Sequence, residues 1–364
     1  MDRFAERRDR LAHAAAKAEL DGFVVTNPVN VAYLTGFSGD SSYLLVGPKR
    51  TLLVSDGRYA IQLQEECPGL PVHLRPPSIR ITPAAAQVIG TLGWSKVSCD
   101  AAHLTLAEYE TFRTELKTVE WKAATGAVEQ FRVRKDEHEI AALKEAIALA
   151  ERALEQFTGS LSAEDSEKEL HDRMELLLRA EGAKCSSFPP IIAVGPRSAL
   201  PHAPPTAKPL GEADVLLVDW GANDGFYRSD LTRTFAPRTI SAKFRELYQG
   251  VAAAQNAAIA ALRPGVKAET VDAAARRALE EAGLLAFFNH GLGHGIGLEV
   301  HEAPALRPNS DTLLEAGMVV TVEPGVYLAE WGGIRIEDDV LITPDGCLVL
   351  SKAPRDLEQM VLPL

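Results

Sequence analysis

The chain has 364 residues, of which 46% are hydrophobic and 24% charged, and a formal net charge of −12 at pH 7. This acidic balance argues against a nucleic-acid or membrane-surface binder, since both need basic patches, and no apolar run is long enough to span a bilayer. The length predicts two domains.

The first third of the sequence alternates helical and strand-like segments. A charged amphipathic helix is predicted at about 3–19, and its charges argue against a signal peptide. The short apolar runs that follow, each closed by turn residues, are GFVVT, SYLLVG, TLLVSDG and KVSCD. We therefore expect a small α/β domain over residues 1–122.

Residues 123–364 are expected to form an α+β domain. Apolar residues recur at helical spacing from Ile140 to Phe157, which predicts one long amphipathic helix. Ser162 and Asp165 have the spacing of a capping box for a second helix. Two later helices are predicted at about 242–262 and 270–282, and the strand-like runs between and after them are DVLLVDWGA, FYRSDLTRTFA, MVVTVEP and GIRIEDDVLIT.

The four cysteines of the chain lie far apart and form no CxxC pair. Neither a zinc knuckle nor a disulfide framework is therefore predicted. We expect a cytoplasmic protein.

The segment DVLLVDWGANDGFYRSDLTRTF predicts a β-hairpin. With a loop at 223–224 or 222–225, Asp219 is expected to pair with Arg228. Asp230 then lies on the same strand face as Asp219, at a diagonal spacing of roughly 7–8 Å between Cα atoms, so that both carboxylates can reach one cation. The competing interpretation is two strand-end carboxylates in water.

Further charges fall on strands that look buried. Glu323 ends the apolar run MVVTVEP, and Arg335, Glu337 and Asp339 share one face of GIRIEDDVLIT. Such a face is usually solvated, but buried carboxylates need cations. Two divalent ions would cancel the charges of Asp219, Asp230, Glu323 and Glu337. Carboxylates with one imidazole suit manganese, cobalt, iron or zinc, and a dinuclear site would ionise a bridging water for hydrolysis.

The stretch HGLGHGIGLEVHE contains His290, His294 and His301. Its glycines allow the backbone to pass close to a ligand or a metal. A single buried histidine is more often structural than a ligand. The spacing alone does not choose among the three.

The motifs around these residues resemble those of a known family. Asp219, Asp230, His294, Glu323 and Glu337, in this order, are similar to the five-ligand signature of the pita-bread metallopeptidases, which include methionine aminopeptidase, aminopeptidase P and prolidase. The segments NVAYLTGFSG and LLVSDGRYAIQ resemble the creatinase-type N-terminal domain of the proline-specific branch. The resemblance implies an N-terminal domain of this type followed by a pita-bread domain.

The resemblance also implies a role for each ligand. Asp230 and Glu337 would bridge two metal ions, Asp219 would complete one, and His294 and Glu323 would complete the other. Manganese is the expected metal, with cobalt or zinc as alternatives. A hydroxide held between the two ions would attack the carbonyl of the residue before proline.

The remaining roles follow from the same resemblance. Glu323 would pass the proton of the attacking water to the leaving nitrogen, and His301 would contact the substrate and stabilise the tetrahedral intermediate. His202, in SALPHAPP, is expected beside the metals as a catalytic and substrate-contacting residue. His290 would line the proline pocket. Arg335, grouped with the substrate-binding residues, would hold a metal-site carboxylate.

These roles predict an Xaa-Pro dipeptidase, a prolidase, acting on a small peptide with proline at its second position. Aminopeptidase P is the alternative, because Ala305 stands where some prolidases have an arginine for the substrate carboxylate. Arg307, Arg58 or an arginine of a partner subunit could substitute, although each is more commonly a solvated surface charge. The resemblance implies a homodimer with contacts that include the N-terminal domain.

Two rival functions belong to other classes. One is a non-catalytic pita-bread protein that binds partners, and the other is a creatinase-type hydrolase that dispenses with metals. The intact set of five ligands argues against both.

Overall fold

The computed structural model describes residues 2–211, 213–362 and 364. The chain forms two compact units that divide between Arg132 and Val133. The domain boundary after residue 122 stays a prediction. Within the described ranges, none of the helices combines the length and the apolar character that crossing a membrane requires.

The first unit is built around one six-stranded sheet with the strand order β4-β3-β2-β1-β5-β6. The pairs β1–β5, β3–β4 and β5–β6 are parallel, and β1–β2 and β2–β3 are antiparallel. Its elements in chain order are α1 (Arg3–Lys17), β1 (Gly22–Val25), α2 (Pro28–Thr35), β2 (Tyr43–Val46), β3 (Thr51–Asp56), α3 (Ala60–Glu66), β4 (Val72–Arg75), α4 (Ile81–Leu92), β5 (Lys96–Asp100), α5 (Leu106–Glu115), β6 (Glu120–Ala124) and α6 (Glu129–Arg132). The expected small α/β arrangement is thus observed.

The second unit packs helices against antiparallel sheets. Its elements are α7 (Glu137–Thr158), α8 (Glu167–Ala180), β7 (Cys185–Ser186), β8 (Ile191–Val194), β9 (Leu216–Trp220), β10 (Ala222–Asn223), β11 (Leu231–Phe235), α9 (Ala242–Ala261), α10 (Ala268–Glu281), β12 (Gly293–Gly295), β13 (Glu302–Leu306), β14 (Val319–Val322), β15 (Gly325–Leu328), β16 (Gly332–Arg335), β17 (Asp338–Thr343) and β18 (Gly346–Val349). The two larger sheets have the strand orders β11-β9-β8 and β13-β12-β14-β17-β18. The predicted α+β class is confirmed.

The long helix α7 begins where Asp136 and Glu139 form a reciprocal capping box. Its apolar stripe is buried in the core of the second unit. Trp220, which is fully buried on β9, donates a hydrogen bond from Nε1 to the carbonyl oxygen of Ala150 at 2.8 Å. The helix therefore supports the strand that carries Asp219.

The predicted cap of the following helix was wrong. Ser166 caps α8, and Glu169 returns its side chain to the Ser166 backbone. Asp165 does accept a hydrogen bond from the Ser162 backbone N–H, at 2.8 Å, but in a turn before the helix. Two consecutive segments, 162–165 and 166–169, have the same capping spacing; the first forms the turn and the second caps the helix.

Candidate metal centre

The hairpin of β9 and β11 brings Asp219 and Asp230 together by a register that differs from the predicted one. Asp219 lies opposite Thr232 rather than Arg228. The reason is the tip of the hairpin, where the Asp224 carboxylate accepts backbone N–H groups of Phe226 and Tyr227. As a result, the residue opposite Asp219 lies four positions later in the chain than predicted, at 232 instead of 228. The displacement is even in residues, so Asp219 and Asp230 still share a face.

A second correction concerns GIRIEDDVLIT, which is two strands in two sheets rather than one strand. β16 ends at Arg335 and pairs with β15, whereas β17 begins at Asp338 and pairs with β14 and β18. Glu337, in the link between them, forms an isolated bridge with Thr232 of β11. This crossing directs the Glu337 carboxylate toward the hairpin.

The carboxylates and one imidazole converge at the place where these strands meet. Asp230, His294 and Glu337 each offer a ligand atom within 4.8 Å of the other two. Nε2 of His294 lies 3.8 Å from Asp230 Oδ2 and 3.4 Å from Glu323 Oε1. Asp219 is connected to Glu337 by hydrogen bonds: Arg335 donates to Asp219 and to Thr232, and Thr232 donates to Glu337. The five residues predicted as ligands are therefore neighbours in space.

Burial strongly perturbs the protonation of this group. It raises the pKa of Glu323 to about 8, against the opposing charge of Arg335. Burial, followed by the charges of the neighbouring carboxylates, raises the pKa values of Asp230 and Glu337 well above their ordinary range. Like charges in an apolar setting cannot all ionise without a counter-ion. A bound cation would therefore be needed for all of these carboxylates to be ionised at neutral pH.

The hydrogen bonds around the carboxylates leave particular oxygens available for a cation. Asp219 accepts from Arg335 through Oδ2, and Glu337 accepts from Thr232 through Oε2 at 2.7 Å. The other oxygens, Asp219 Oδ1 and Glu337 Oε1, are buried without a hydrogen-bond partner among the described residues. Unpaired buried carboxylate oxygens are costly, and divalent cations satisfy them. The donor set fits a carboxylate-rich metal site.

The protonation of His294 fits the same conclusion. Burial lowers its pKa to about 4, so the ring is neutral near pH 7. Nδ1 lies 3.1 Å from the carbonyl oxygen of Gly295, to which it donates. Nε2 is then left with its lone pair toward Asp230 and Glu323. This is the arrangement that metal-binding histidines commonly have.

A cavity of about 770 Å³ opens on one side of the carboxylates. His202 and His301 line it, and the His301 ring lies edge-on to the His294 ring with 4.3 Å between centroids. His290 also lines it, with Nε2 at 2.9 Å from the Tyr327 hydroxyl and a pKa that burial lowers to about 4. Thus the structure brings all three histidines of the glycine-rich stretch to one cavity.

Among the described residues that line this cavity, Arg335 is the only arginine. Its guanidinium donates to Asp219, to the Tyr327 hydroxyl at 2.9 Å and to Thr232 Oγ1 at 3.1 Å. Its donors are thus directed at protein groups. Arg307 does not occur among the described lining residues.

Sequence reasoning did not single out Thr232 and Tyr327. Thr232 lies on β11, two residues after Asp230. Strand alternation would therefore have predicted it on the same face as the Asp230 carboxylate. Tyr327 follows the TVEPG motif, but no pattern distinguishes a buried tyrosine that donates to a site from one in the core. Its position beside Arg335 depends on the β15–β16 pairing.

Comparison with known proteins gives the following matches. Residues 141–344 match the model of metallopeptidase family M24, and residues 7–134 match the creatinase/prolidase N-terminal domain. The Xaa-Pro dipeptidase of Pyrococcus furiosus is 33% identical over 359 residues, which cover 97% of this chain and 99% of that protein.

Two solved structures are similar over nearly the whole chain. An Xaa-Pro dipeptidase from Bacillus anthracis has a TM-score of 0.94 and 36% identity, covering 99% of this chain and 100% of that one. An X-Pro aminopeptidase from Thermotoga maritima has a TM-score of 0.90 and 32% identity, covering 98% and 99%.

Proposed function

The chain belongs to metallopeptidase family M24, and from this membership we propose that it is a dinuclear exopeptidase that hydrolyses Xaa-Pro bonds, most readily in dipeptides. The observation that carries the proposal is the convergence of buried carboxylates with unpaired oxygens and a neutral imidazole beside one cavity. The similarity to Xaa-Pro dipeptidases supports the choice of substrate.

We assign the metal positions to Asp219, Asp230, His294, Glu323 and Glu337. Two divalent ions, manganese first among them, would balance the four carboxylate charges and, when bound, supply the Lewis acidity that ionises water at neutral pH. Arg335 donates to one oxygen of Asp219 and Thr232 to one oxygen of Glu337, which leaves the second oxygen of each carboxylate to bind metal.

The other residues act on the substrate. Glu323 takes the proton of the attacking water and passes it to the leaving proline nitrogen. His301 and His202 donate hydrogen bonds to the carbonyl oxygen as it gains negative charge. His290 and Tyr327 form the wall for the proline ring. Because proline lacks an N–H, this wall needs no acceptor for a backbone amide.

Aminopeptidase P activity on longer peptides is the second candidate. A dipeptide presents a free carboxylate next to its proline, and the guanidinium of Arg335 already donates to three protein groups. The similarity to an X-Pro aminopeptidase supports the same alternative. In that case the chain beyond proline would extend toward the cavity mouth.

The deciding experiment compares Ala-Pro with Ala-Pro-Ala. Protein stripped of metal and then supplied with manganese is assayed for proline release from the first peptide and alanine release from the second. Manganese-dependent cleavage of the dipeptide alone supports a prolidase, and preference for the tripeptide supports aminopeptidase P. Inactivity on both peptides with metal bound would overturn the proposal. The variant His294→Ala, assayed in parallel, should lose metal and activity together.

We also propose a homodimer in the cytoplasm. The four cysteines lie in the described ranges and form no disulfide, as is usual for a reducing compartment. Light scattering coupled to size-exclusion chromatography should give twice the chain mass of 39.3 kDa. A mass equal to that of one chain would reject the dimer.

A further inference from the structure

A buried ion pair lies at the base of the loop that carries His301. Nζ of Lys135 is 3.2 Å from Oε2 of Glu302, and their side chains are only 1% and 6% exposed. Burying two charges costs desolvation that their attraction often does not exceed. A pair of this kind is therefore a candidate for a role other than stability.

Lys135 is fixed to the strand that leads to Glu323. Its backbone N–H donates to the carbonyl oxygen of Gly317 at 2.7 Å, and the preceding Arg134 forms a bridge with Met318. Met318 directly precedes β14, and Glu323 follows the last residue of that strand. The ammonium group thus starts from a backbone that is held to a strand of the metal centre.

Glu302 connects this anchor to the loop formed by residues 296–301, which we call the His301 loop. Its Oε1 accepts the backbone N–H of Glu299 at 3.1 Å. Its carboxylate also packs on Gly297, where an added Cβ would lie 2.8 Å from Oε2. The loop therefore folds around the carboxylate that Lys135 holds.

A second basic residue, Arg228, contacts the same part of the loop. Arg228 donates from its backbone N–H to Gly297 O at 2.9 Å and from Nε to Leu298 O at 3.0 Å. His301 itself is exposed at the cavity. Its ring can thus reach a substrate while the backbone around it is restrained.

We propose that Lys135 and Glu302 are positioning residues that set the place of His301 relative to the metal centre. This inference rests on the proposed function, in which His301 stabilises the developing oxyanion. An interaction made only in the transition state affects kcat rather than KM, and a displacement of about 1 Å can lower the rate about 100-fold. Loss of the ion pair should therefore reduce kcat and leave KM nearly unchanged.

The test is a double-mutant cycle between the ion pair and His301. The variants are Lys135→Met, His301→Ala and their combination, assayed with the better of the two proline peptides. Lys135→Met is expected to lower kcat about 100-fold. In the His301→Ala background it should cause no further loss, because the residue that it positions is absent. Losses that multiply would overturn the proposal.

Two further variants separate positioning from stability. Lys135→Met leaves Glu302 buried without its cation, so the double variant Lys135→Met/Glu302→Gln removes both charges if the single one fails to fold. The control is Arg173→Met, which breaks a more exposed ion pair in the same unit, that of Arg173 with Asp165. The control should alter kcat little and combine multiplicatively with His301→Ala.

Hydrogen exchange of the metal-free protein supplies a readout that needs no activity. Amides of the His301 loop should exchange faster in Lys135→Met, or in the double variant, than in wild type and in Arg173→Met. Unchanged exchange in the loop would overturn the proposal even if activity fell. If wild type cleaves neither peptide, the proposed function fails, and this exchange result alone decides whether the ion pair holds the loop.

Discussion

Replacing Arg335 by methionine should destabilise the protein far more without metal than with it. The side chain of Arg335 is almost fully buried, and it donates to the Asp219 carboxylate, to Tyr327 and to Thr232. Methionine fills much of the same space without charge. In the metal-free protein the change leaves Asp219 buried beside other carboxylates and without its cation.

The two costs can be estimated from these contacts. Removing one partner of a buried ion pair costs about 3–5 kcal/mol. When divalent ions balance the charge of Asp219, the main loss is the two hydrogen bonds to Tyr327 and Thr232, about 1–3 kcal/mol together. The two hydrogen bonds are lost in both conditions, so the difference is the cost of the broken ion pair. With a urea m-value of about 3 kcal/mol per M, the upper end of the range for small proteins, the midpoint falls about 1–2 M further in chelator than in manganese.

Urea unfolding of wild type and Arg335→Met, each with manganese and with chelator, measures this difference. The matched control is Arg197→Met, which removes the arginine from Glu167, another buried carboxylate. Its loss should be the same with and without metal. Equal losses of stability for Arg335→Met under both conditions would refute the reasoning. They would mean that the metal does not take over from Arg335 in balancing the negative charge of Asp219.

Three other outcomes are expected. Because the pKa of Glu323 is raised to about 8 in the metal-free protein, manganese binding at pH 7 should release protons, and calorimetry in buffers of different ionisation enthalpy should show the release shrinking above pH 8. The Arg58 guanidinium beside Asp56 lowers the pKa of that carboxyl to about 2, so its stabilisation is present above pH 4 and lost as the pH falls toward 2; thermal unfolding of Asp56→Asn should differ from wild type by about 1 kcal/mol at pH 6 and hardly at pH 2. Trp220→Phe should cost about 2–3 kcal/mol in urea unfolding, because it opens a cavity and leaves the Ala150 carbonyl without its donor; a loss below about 1 kcal/mol would contradict this packing.

Local patterns predicted those parts of the fold that depend on local interactions. The apolar stripe of α7 follows helical spacing, so the helix was predictable without its partners. The shared face of Asp219 and Asp230 was also predictable, even though the register was wrong, because an even displacement preserves the face. The tip of the hairpin depends on which side chain closes the turn, and Asn223 and Asp224 both have that capacity.

The parts that depend on packing between strands could not be predicted in this way. The crossing between β16 and β17 lies in a continuously buried segment, where alternation gives no sign that the chain changes sheets. The choice among His290, His294 and His301 depends on ring orientation and on the partners of each nitrogen, which spacing does not contain. The family resemblance supplied that choice.

The carboxylates of the metal centre come from strands that are far apart along the chain, from Asp219 on β9 to Glu337 before β17. Each contact among them closes a long loop, so the site costs much chain entropy and contributes little until most of the unit is in place. On the ribosome, a chain that ends before Glu337 lacks part of the site. Metal binding would therefore follow folding of the second unit and indicate that it is complete. A metal that binds only the folded site also shifts the folding equilibrium toward the native state.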